Sequence, residues 1–355
     1  MSKLRTGRML AAACAALWMF AGAGASAAPL VIKGEEIASS ELYEAAKKEG
    51  QLTVYSSLSG RPYGPIRKAF EADTGIKINY IGLITPKLYQ RALSEHSAGK
   101  LSADYLDLTD LTLVQDLIEK GVLGHAYKVP AFDRIDPALK DPEGRWYSLL
   151  RNITVLGVNT ALVPENEWPK AWKDMLDPKW QGRIGLFNID VGGSAFSNFS
   201  YLRERIAPDF WARLAAQKPR IYPSAAPTVT DLVRGEVSLI MASTASLIEQ
   251  VVSGAPVKII FPAEGNPGFP TAGGITASAK NVNAARLYLA WLTSKRGGEA
   301  MGASALYGAH PEAPPPSPEG IKFPEVDKIW TLKIDEWVAK RDSYTTEWQI
   351  GRAHV

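Results

Sequence analysis

The first residues suited to ligand chemistry form a polar turn that follows an apolar strand. Residues 51–55 are β-branched and aromatic, which predicts a buried strand, and Pro65 stands where a following helix would begin. The turn between them contains hydroxyl and guanidinium groups: Ser56, Ser57, Ser59 and Arg61. In a strand–helix–strand unit this turn faces the ligand crevice, where free helix N–H groups, hydroxyls and an arginine bind anions. An ordinary α/β turn with a solvated arginine is the competing interpretation.

The same pattern of strand, polar turn and helix recurs further along the chain. The candidates at these later turns are Thr109, Asp110, Gly192, Gly193, Ser194, Ser243 and Thr244. Glycines before a helix leave amide groups free to hold an anion, although a Gly-Gly-Ser segment is also a common plain turn. Asp110 could accept an ammonium group, but N-capping of the next helix is its more ordinary role. We expect these strand ends to share one crevice.

Arg151 is a further candidate, because it interrupts the apolar, β-rich segment 146–159. An arginine in such a segment needs a partner. A structural carboxylate and a ligand satisfy that need equally well. The segment itself resembles a long strand that leaves one domain for another.

The chain is long enough to form the elements that position these residues, and its first residues predict export. The chain has 355 residues, of which 46% are hydrophobic, enough for two lobes with cores of their own. Residues 1–27 combine Lys3, Arg5 and Arg8 with an apolar run and end in a small-residue site, which predicts a secretory signal peptide. Cys14 lies inside that run, and lipidation there is the less favoured alternative. The mature protein is therefore expected in the periplasm.

Charge and composition exclude several classes of function. Removal of the signal takes the formal net charge from +3 to zero, so the mature chain lacks the positive charge that nucleic-acid binding requires. Its only cysteine leaves with the signal, and its histidines have no metal-ligand spacing. The sequence contains neither a G-x-S-x-G nor an H-E-x-x-H motif. We therefore predict no enzyme, no cofactor and no metal site.

Long segments of the chain resemble a known family. They include LYEAAKKEGQLTVYSS, FEADTGIKINYI, DMLDPKWQGRIGLFN, LVRGEVSLIM, FPAEGNPGFPTAGGI and NVNAARLYLAWLTSKRGGEAM. In these segments the chain resembles extracellular solute-binding proteins of bacterial ABC importers, in the branch that includes ferric-ion-binding and phosphonate- or sugar-phosphate-binding proteins. The likeness extends over nearly all of the mature chain and is stronger for architecture than for ligand.

The resemblance implies a fold, a partner and a mode of binding. The fold is α/β, a two-lobed periplasmic binding protein of type 2, with two crossing hinge strands. The lobes would comprise residues 28–152 plus 272–355 and residues 153–271, and the hinge would close on a ligand between them. The implied partner is the membrane permease of an ABC importer, and the protein is expected to be a monomer.

The ligand that the resemblance implies is a small organic anion, either phosphorylated, a phosphonate or a carboxylate. Ferric members coordinate iron through adjacent tyrosines after the strand that here ends in Met241, and this chain has only small residues at 242–246. Because iron(III) prefers anionic oxygen ligands, serine and threonine hydroxyls are poor substitutes for tyrosines. A ferric-ion-binding protein of the same family and a ligand-sensing subunit for a receptor remain the alternatives.

Overall fold

The computed structural model describes residues 28–58, 63–188 and 192–353. The segment assigned to the signal peptide lies outside the described residues. Among the described residues, none of the helices combines the length and the apolar character needed to cross a bilayer.

Short strands are distributed over the whole described chain. They are β1 (Leu30–Ile32), β2 (Glu35–Ala38), β3 (Gln51–Ser56), β4 (Lys77–Gly82), β5 (Tyr105–Leu108), β6 (Leu123–His125), β7 (Tyr147–Asn159), β8 (Ile184–Phe187), β9 (Arg220–Tyr222), β10 (Leu239–Ser243), β11 (Val257–Ile260), β12 (Asn266–Thr276), β13 (Tyr307–Gly308) and β14 (Ile329–Thr331). β7 and β12 are much longer than the others.

Helices alternate with these strands. They are α1 (Ser40–Glu49), α2 (Tyr63–Thr74), α3 (Thr85–Ser97), α4 (Leu111–Glu119), α5 (Gly193–Tyr201), α6 (Phe210–Ala215), α7 (Ala225–Arg234), α8 (Thr244–Val252), α9 (Val282–Leu292), α10 (Lys295–Gly302) and α11 (Ile334–Ala353). A π-helical turn, Leu202–Ile206, follows α5 directly.

The strand–helix–strand unit predicted at the start of the chain is present. β3 pairs in parallel with β4, from Gln51 opposite Lys77 to Ser56 opposite Gly82, and α2 connects them. Gly75, with a φ of 77°, follows the end of α2 in the left-handed conformation that favours glycine. Because β3 and β4 are parallel, their carboxyl ends lie at the same edge of the sheet.

Two parallel half-sheets are joined by two antiparallel strands. The first half has the order β4-β3-β5 and continues into β12, and the second half continues from β7 into β10-β8-β9. β12 pairs with β7 from Gly268 opposite Ile153 to Gly273 opposite Tyr147. The two long strands thus cross from one half to the other, as the sequence predicted for a hinge.

The aromatic face of the last helix packs on the second half of the sheet. We expected residues 272–355 in the first lobe, but the aromatic side chains of α11 belong to the apolar cluster of the second half. Trp337 stacks on Phe196 of α5 with ring centroids 5.2 Å apart. Tyr344 lies 5.4 Å from the ring of Phe199. α11 packs there because the second half offers it an aromatic surface.

Candidate ligand-binding site

The first strand end is organised by a buried aspartate. The Ser56 hydroxyl donates to Oδ1 of Asp107 at 2.6 Å, and the backbone N–H of Ser57 donates to the same oxygen at 3.2 Å. The Ser57 hydroxyl is buried and has no hydrogen-bond partner among the described residues. Ser59 and Arg61, two further candidates, lie outside the described residues. Of the described hydroxyls in this turn, only that of Ser57 lacks a hydrogen-bond partner among the described residues.

Asp107 was not among the residues selected from the sequence. It is 5% exposed, and burial raises its pKa to about 7, although the hydrogen bonds from Ser56 and Ser57 oppose the shift. In the sheet, Asp107 of β5 lies directly opposite Ser56 of β3. An acidic residue between two leucines near the end of a strand was the available signal. Its role depends on the neighbouring strand β3, which supplies Ser56.

At the second strand end, after β5, the polar side chains already have hydrogen-bond or ion-pair partners within the protein. The hydroxyls of Thr109 and Thr85 lie 2.8 Å apart in a mutual hydrogen bond. Asp110 caps α4 by accepting from the backbone N–H of Thr112 at 3.0 Å, and it forms an ion pair with Arg341 of α11 at 2.7 Å. Asp110 therefore has the capping role that the sequence favoured, and its charge is already paired. Thr85, which the sequence analysis missed, follows the end of β4 and so belongs to a third strand end.

The start of α5 touches these strand ends from the other half of the sheet. Gly192 has a φ of 150°, and a β-carbon there would lie 3.1 Å from the Thr109 hydroxyl oxygen and 3.2 Å from that of Thr85. A β-carbon on Gly193 would overlap the carbonyl oxygen of Thr109 and lie 2.7 Å from the ring of Trp337. Only glycine permits this approach. Thr109 and the two glycines, predicted to share a crevice, are therefore adjacent.

Space for a ligand lies beside this contact. A cavity of about 490 Å³ is lined by Thr85, Asp110, Gly192, Phe196, Trp337 and Arg341, among others. Residues of both halves contribute to its wall. The N–H groups of Gly193 and Ser194 open α5 and have no intrahelical acceptor, because the bonds within the helix begin with Ala195 and Phe196 donating to the Gly192 carbonyl. This helix start is the feature of the site best suited to an anion.

The polar groups at the end of β10 are used within the protein. Ser243 caps α8, and its hydroxyl oxygen lies 3.2 Å from the Ser246 backbone nitrogen. The Thr244 hydroxyl is buried within hydrogen-bonding distance of the Asn152 side-chain oxygen, at 3.1 Å, and of the Ala305 carbonyl, at 3.0 Å. Since Asn152 belongs to the crossing strand β7, Thr244 holds α8 to the hinge. Neither hydroxyl is free for a ligand in this structure.

Arg151 lies apart from the other candidate residues. It lines a separate cavity of about 670 Å³ whose described wall contains none of the strand-end residues. Its Nε is buried without a hydrogen-bond partner, and no described carboxylate lies within ion-pair distance of it. Burial lowers the pKa of the guanidinium, and the nearby carboxylate of Asp136 opposes that shift. The carboxylate partner that the sequence offered as one alternative is absent from the described residues.

The described residues offer no evident metal centre. They contain no group of three or more histidine, cysteine, aspartate or glutamate side chains placed to hold an ion. The hydroxyl of Tyr201 donates to the Glu264 carbonyl at 2.8 Å, and that of Tyr222 donates to Asp231 at 2.7 Å. Both phenols therefore have partners within the protein.

Comparison with known proteins identifies the family. A model described as "Bacterial extracellular solute-binding protein" matches residues 101–328, more than half of the chain. The chain belongs to this family. It is 22% identical over 266 residues to the Fe(3+)-binding periplasmic protein of Serratia marcescens, a match that spans 73% of this chain and 78% of that protein.

Solved structures give the same fold. The substrate-binding protein of an ABC transporter from Agrobacterium tumefaciens aligns with a TM-score of 0.74 at 19% identity, over 86% of this chain and 96% of that one. The periplasmic binding protein AfuA from Actinobacillus pleuropneumoniae, solved with fructose-6-phosphate, aligns with a TM-score of 0.69 at 20% identity, over 84% and 98% of the two chains.

These comparisons confirm several predictions. The protein has the two-lobed α/β fold of periplasmic binding proteins. It belongs to a family of bacterial extracellular solute-binding proteins, which are binding proteins rather than enzymes. The two half-sheets correspond to lobes, and the contact between α5 and the strand ends of the first half lies between them.

Proposed function

We propose that the protein is the periplasmic component of an ABC importer and that it captures a small organic anion between its lobes. The ligand would be phosphorylated, a phosphonate or a carboxylate. The observation that carries this proposal is the approach of the α5 start to Thr85 and Thr109, beside a cavity of about 490 Å³. Ligand pockets in proteins commonly have volumes of about 300–1,000 Å³.

The helix start beside this cavity favours a negative guest, whereas the exposed carboxylate of Asp342 in the cavity wall opposes one. The N–H groups of Gly193 and Ser194, which have no acceptor within α5, stand at the positive end of the helix dipole. The carboxylate of Asp110, which also lines the cavity, is neutralised by Arg341 at 2.7 Å. An anion bound there would contact both lobes only in the closed state, so its binding energy would stabilise closure. AfuA, which shares the fold and was solved with a sugar phosphate, supports this class of ligand.

Iron is the less favoured ligand, although a relative is named for binding Fe(3+). Iron(III) prefers anionic oxygen ligands such as phenolates. The end of β10 provides Ser243 and Thr244, whose hydroxyls cap α8 and hold the hinge. The phenol of Tyr201 is likewise engaged, donating to a backbone carbonyl.

Two further assignments belong to this proposal. Residues 1–27 would be removed as a signal peptide, and residues 28–152 with the chain from 272 up to α11 would form the first lobe. The second lobe would comprise residues 153–271, with α11 packed on its surface. Mass spectrometry of a periplasmic extract should give an N-terminus near Ala28. An intact Met1 in the cytoplasm would contradict the signal peptide.

The ligand class is tested by thermal denaturation of the purified protein with phosphorylated sugars, phosphonates and short carboxylates. A ligand at about 100 times its dissociation constant should stabilise the fold by about 2.7 kcal/mol. For a protein of this size the melting temperature should rise by several degrees. Ferric citrate is the control and should produce no visible tyrosinate–iron band. A coloured stoichiometric complex, with no response to any organic anion, would refute the proposal.

A further inference from the structure

A second cavity, larger than the one between the lobes, lies beside the crossing strand β7. Its volume is about 670 Å³, and its wall includes Arg134, Asp136, Ser148, Arg151, Tyr307 and Glu325. The wall comes from β7, from β13 and from segments near residues 134–139, 309–315 and 325–327. Its described lining includes neither the strand ends nor the start of α5. The cavity is therefore distinct from the candidate site between the lobes.

Arg151 gives this cavity a cation that can bind a negative group. The Arg151 side chain is partly buried, its Nε is inaccessible to solvent, and it has no hydrogen bond or ion pair among the described residues. A charge that is partly withdrawn from water and has no partner is costly, and native proteins usually pair such a group. The other described arginine of the wall, Arg134, is exposed and is paired with Glu312 at 3.4 Å. Arg151 is thus the wall's unpaired cation.

The outer rim of the cavity carries the opposite charge. Asp136 and Glu325 are both exposed, and neither carboxylate has an ion-pair partner among the described residues. Asp136 accepts one hydrogen bond, from the backbone N–H of Ala138 at 2.9 Å. A compact dianion such as phosphate would satisfy Arg151 but would meet two unpaired carboxylates at the rim. The wall therefore matches a molecule that carries a negative group at one end and a positive group at the other.

We propose that this cavity binds a free amino acid, with its carboxylate on Arg151 and an ammonium group toward Asp136 and Glu325. The guanidinium fork suits a carboxylate, because it offers paired N–H donors in the same plane. The volume lies within the common range for small-molecule sites, about 300–1,000 Å³. The site is separate from the solute cleft, and it does not depend on the proposed transport ligand.

Isothermal titration of the mature protein with each proteinogenic L-amino acid, and with inorganic phosphate, tests this proposal. At least one amino acid should bind saturably, and phosphate should not compete with it. Arg151→Gln removes the charge and should weaken that binding about tenfold or more, since a charge-assisted pair is lost. Asp136→Asn keeps the cap on Ala138 and should also weaken it. This second variant decides the question if Arg151→Gln does not fold.

Two control variants locate the binding. Arg286→Gln changes another arginine whose Nε is buried without a partner but which lines no described cavity, and it should bind as the wild type does. Gly193→Ala alters the contact between the lobes and should also leave amino-acid binding unchanged. Absence of binding by every amino acid would overturn the proposal, as would equal affinity in wild type and Arg151→Gln. Loss of binding in Gly193→Ala would assign the amino acid to the solute cleft instead.

Discussion

The two sides of the cleft have similar polar sequences but use them differently. On the first lobe, Ser56 and the Ser57 N–H are bound to Asp107, and Thr109 is bound to Thr85. On the second lobe, the α5 start presents N–H groups that have no intrahelical acceptor. Hydroxyl groups at strand ends are therefore mostly structural here, whereas the first N–H groups of the glycine-rich helix have no acceptor within that helix. Availability depends on the neighbours of a polar group more than on its type.

Gly193→Ala should have the largest effect on this arrangement. The new methyl group would overlap the Thr109 carbonyl oxygen, so the α5 start could not reach the first lobe. Ligand affinity should fall about tenfold or more, equivalent to about 1.4 kcal/mol, because closure loses its contact. Titration of a ligand found in the anion screen measures this change.

The matched control is Gly302→Ala in α10. The nearest atom to its β-carbon would be Cα of Pro316 at 3.7 Å, an ordinary contact. This variant should bind normally and unfold cooperatively. If Gly193→Ala bound its ligand as tightly as Gly302→Ala, the approach of α5 to Thr109 would have no part in binding.

Asp107→Asn should change how stability depends on pH. Burial raises the pKa of Asp107 from 3.8 to about 7, so the folded protein keeps a proton that the unfolded chain has lost. The folded state is therefore favoured at low pH, and this stability is lost as pH rises through about 7. Between pH 5 and 8 the wild type should lose about 3 kcal/mol more than the variant.

Urea denaturation of both proteins at several pH values measures this difference. Asparagine is uncharged and retains the side-chain oxygen that accepts from Ser56 and Ser57. The variant should therefore fold and be the more stable protein at pH 8. Stability curves that run parallel for the two proteins would show that Asp107 is ionised in the folded state throughout this range.

The adjacent residues Ser56 and Ser57 provide a matched pair on the first lobe. Ser56→Ala removes a buried hydrogen bond to Asp107 and should cost about 1–3 kcal/mol of unfolding free energy. Ser57→Ala removes a hydroxyl that has no described partner and should change stability by less than about 0.5 kcal/mol. Ligand affinity should respond to Ser57→Ala, by about fivefold if one hydrogen bond is lost. Equal stability losses would contradict the distinction.

The sequence predicted the local pattern well and the partners of the polar groups poorly. The strand–helix–strand unit follows from residues that are close in the chain, and so does the capping role of Asp110. The crossing of β7 and β12 matches the strand predicted from the apolar segment 146–159. Asp107 could not be recognised, because its importance depends on β3, its neighbour in the sheet.

Longer-range contacts explain the other differences. Arg151 was expected at the cleft, but its cavity is closed by residues more than 150 positions later, such as Tyr307. The aromatic residues of α11 would suit an apolar surface on either lobe. Only the ring contacts of Trp337 and Tyr344 with α5 reveal which lobe they occupy. Sequence periodicity indicates that a face is apolar, and it does not specify the surface that the face covers.

Arg341→Ala should have the smallest effect of these substitutions. It removes the one described ion pair between α11 and the N-cap of α4. Arg341 contacts Asp110 at 2.7 Å and also donates to the Thr112 hydroxyl. The Asp110 side chain is 4% exposed and that of Arg341 is 39% exposed. Solvent screening at the arginine limits the cost to about 1 kcal/mol, and Asp110 retains its hydrogen bonds from Thr112.

Lys340→Ala is the control for this last prediction. Lys340 pairs with Glu204 and Glu336, each at 3.0 Å, and so joins α11 only to itself and to the second lobe. Both variants should lose similar, small amounts of stability in urea. Only Arg341→Ala should also weaken ligand binding, because its ion pair links α11 on the second lobe to α4 on the first. If Lys340→Ala weakened binding equally, α11 would act through the second lobe alone, and the Arg341–Asp110 pair would not contribute to closure.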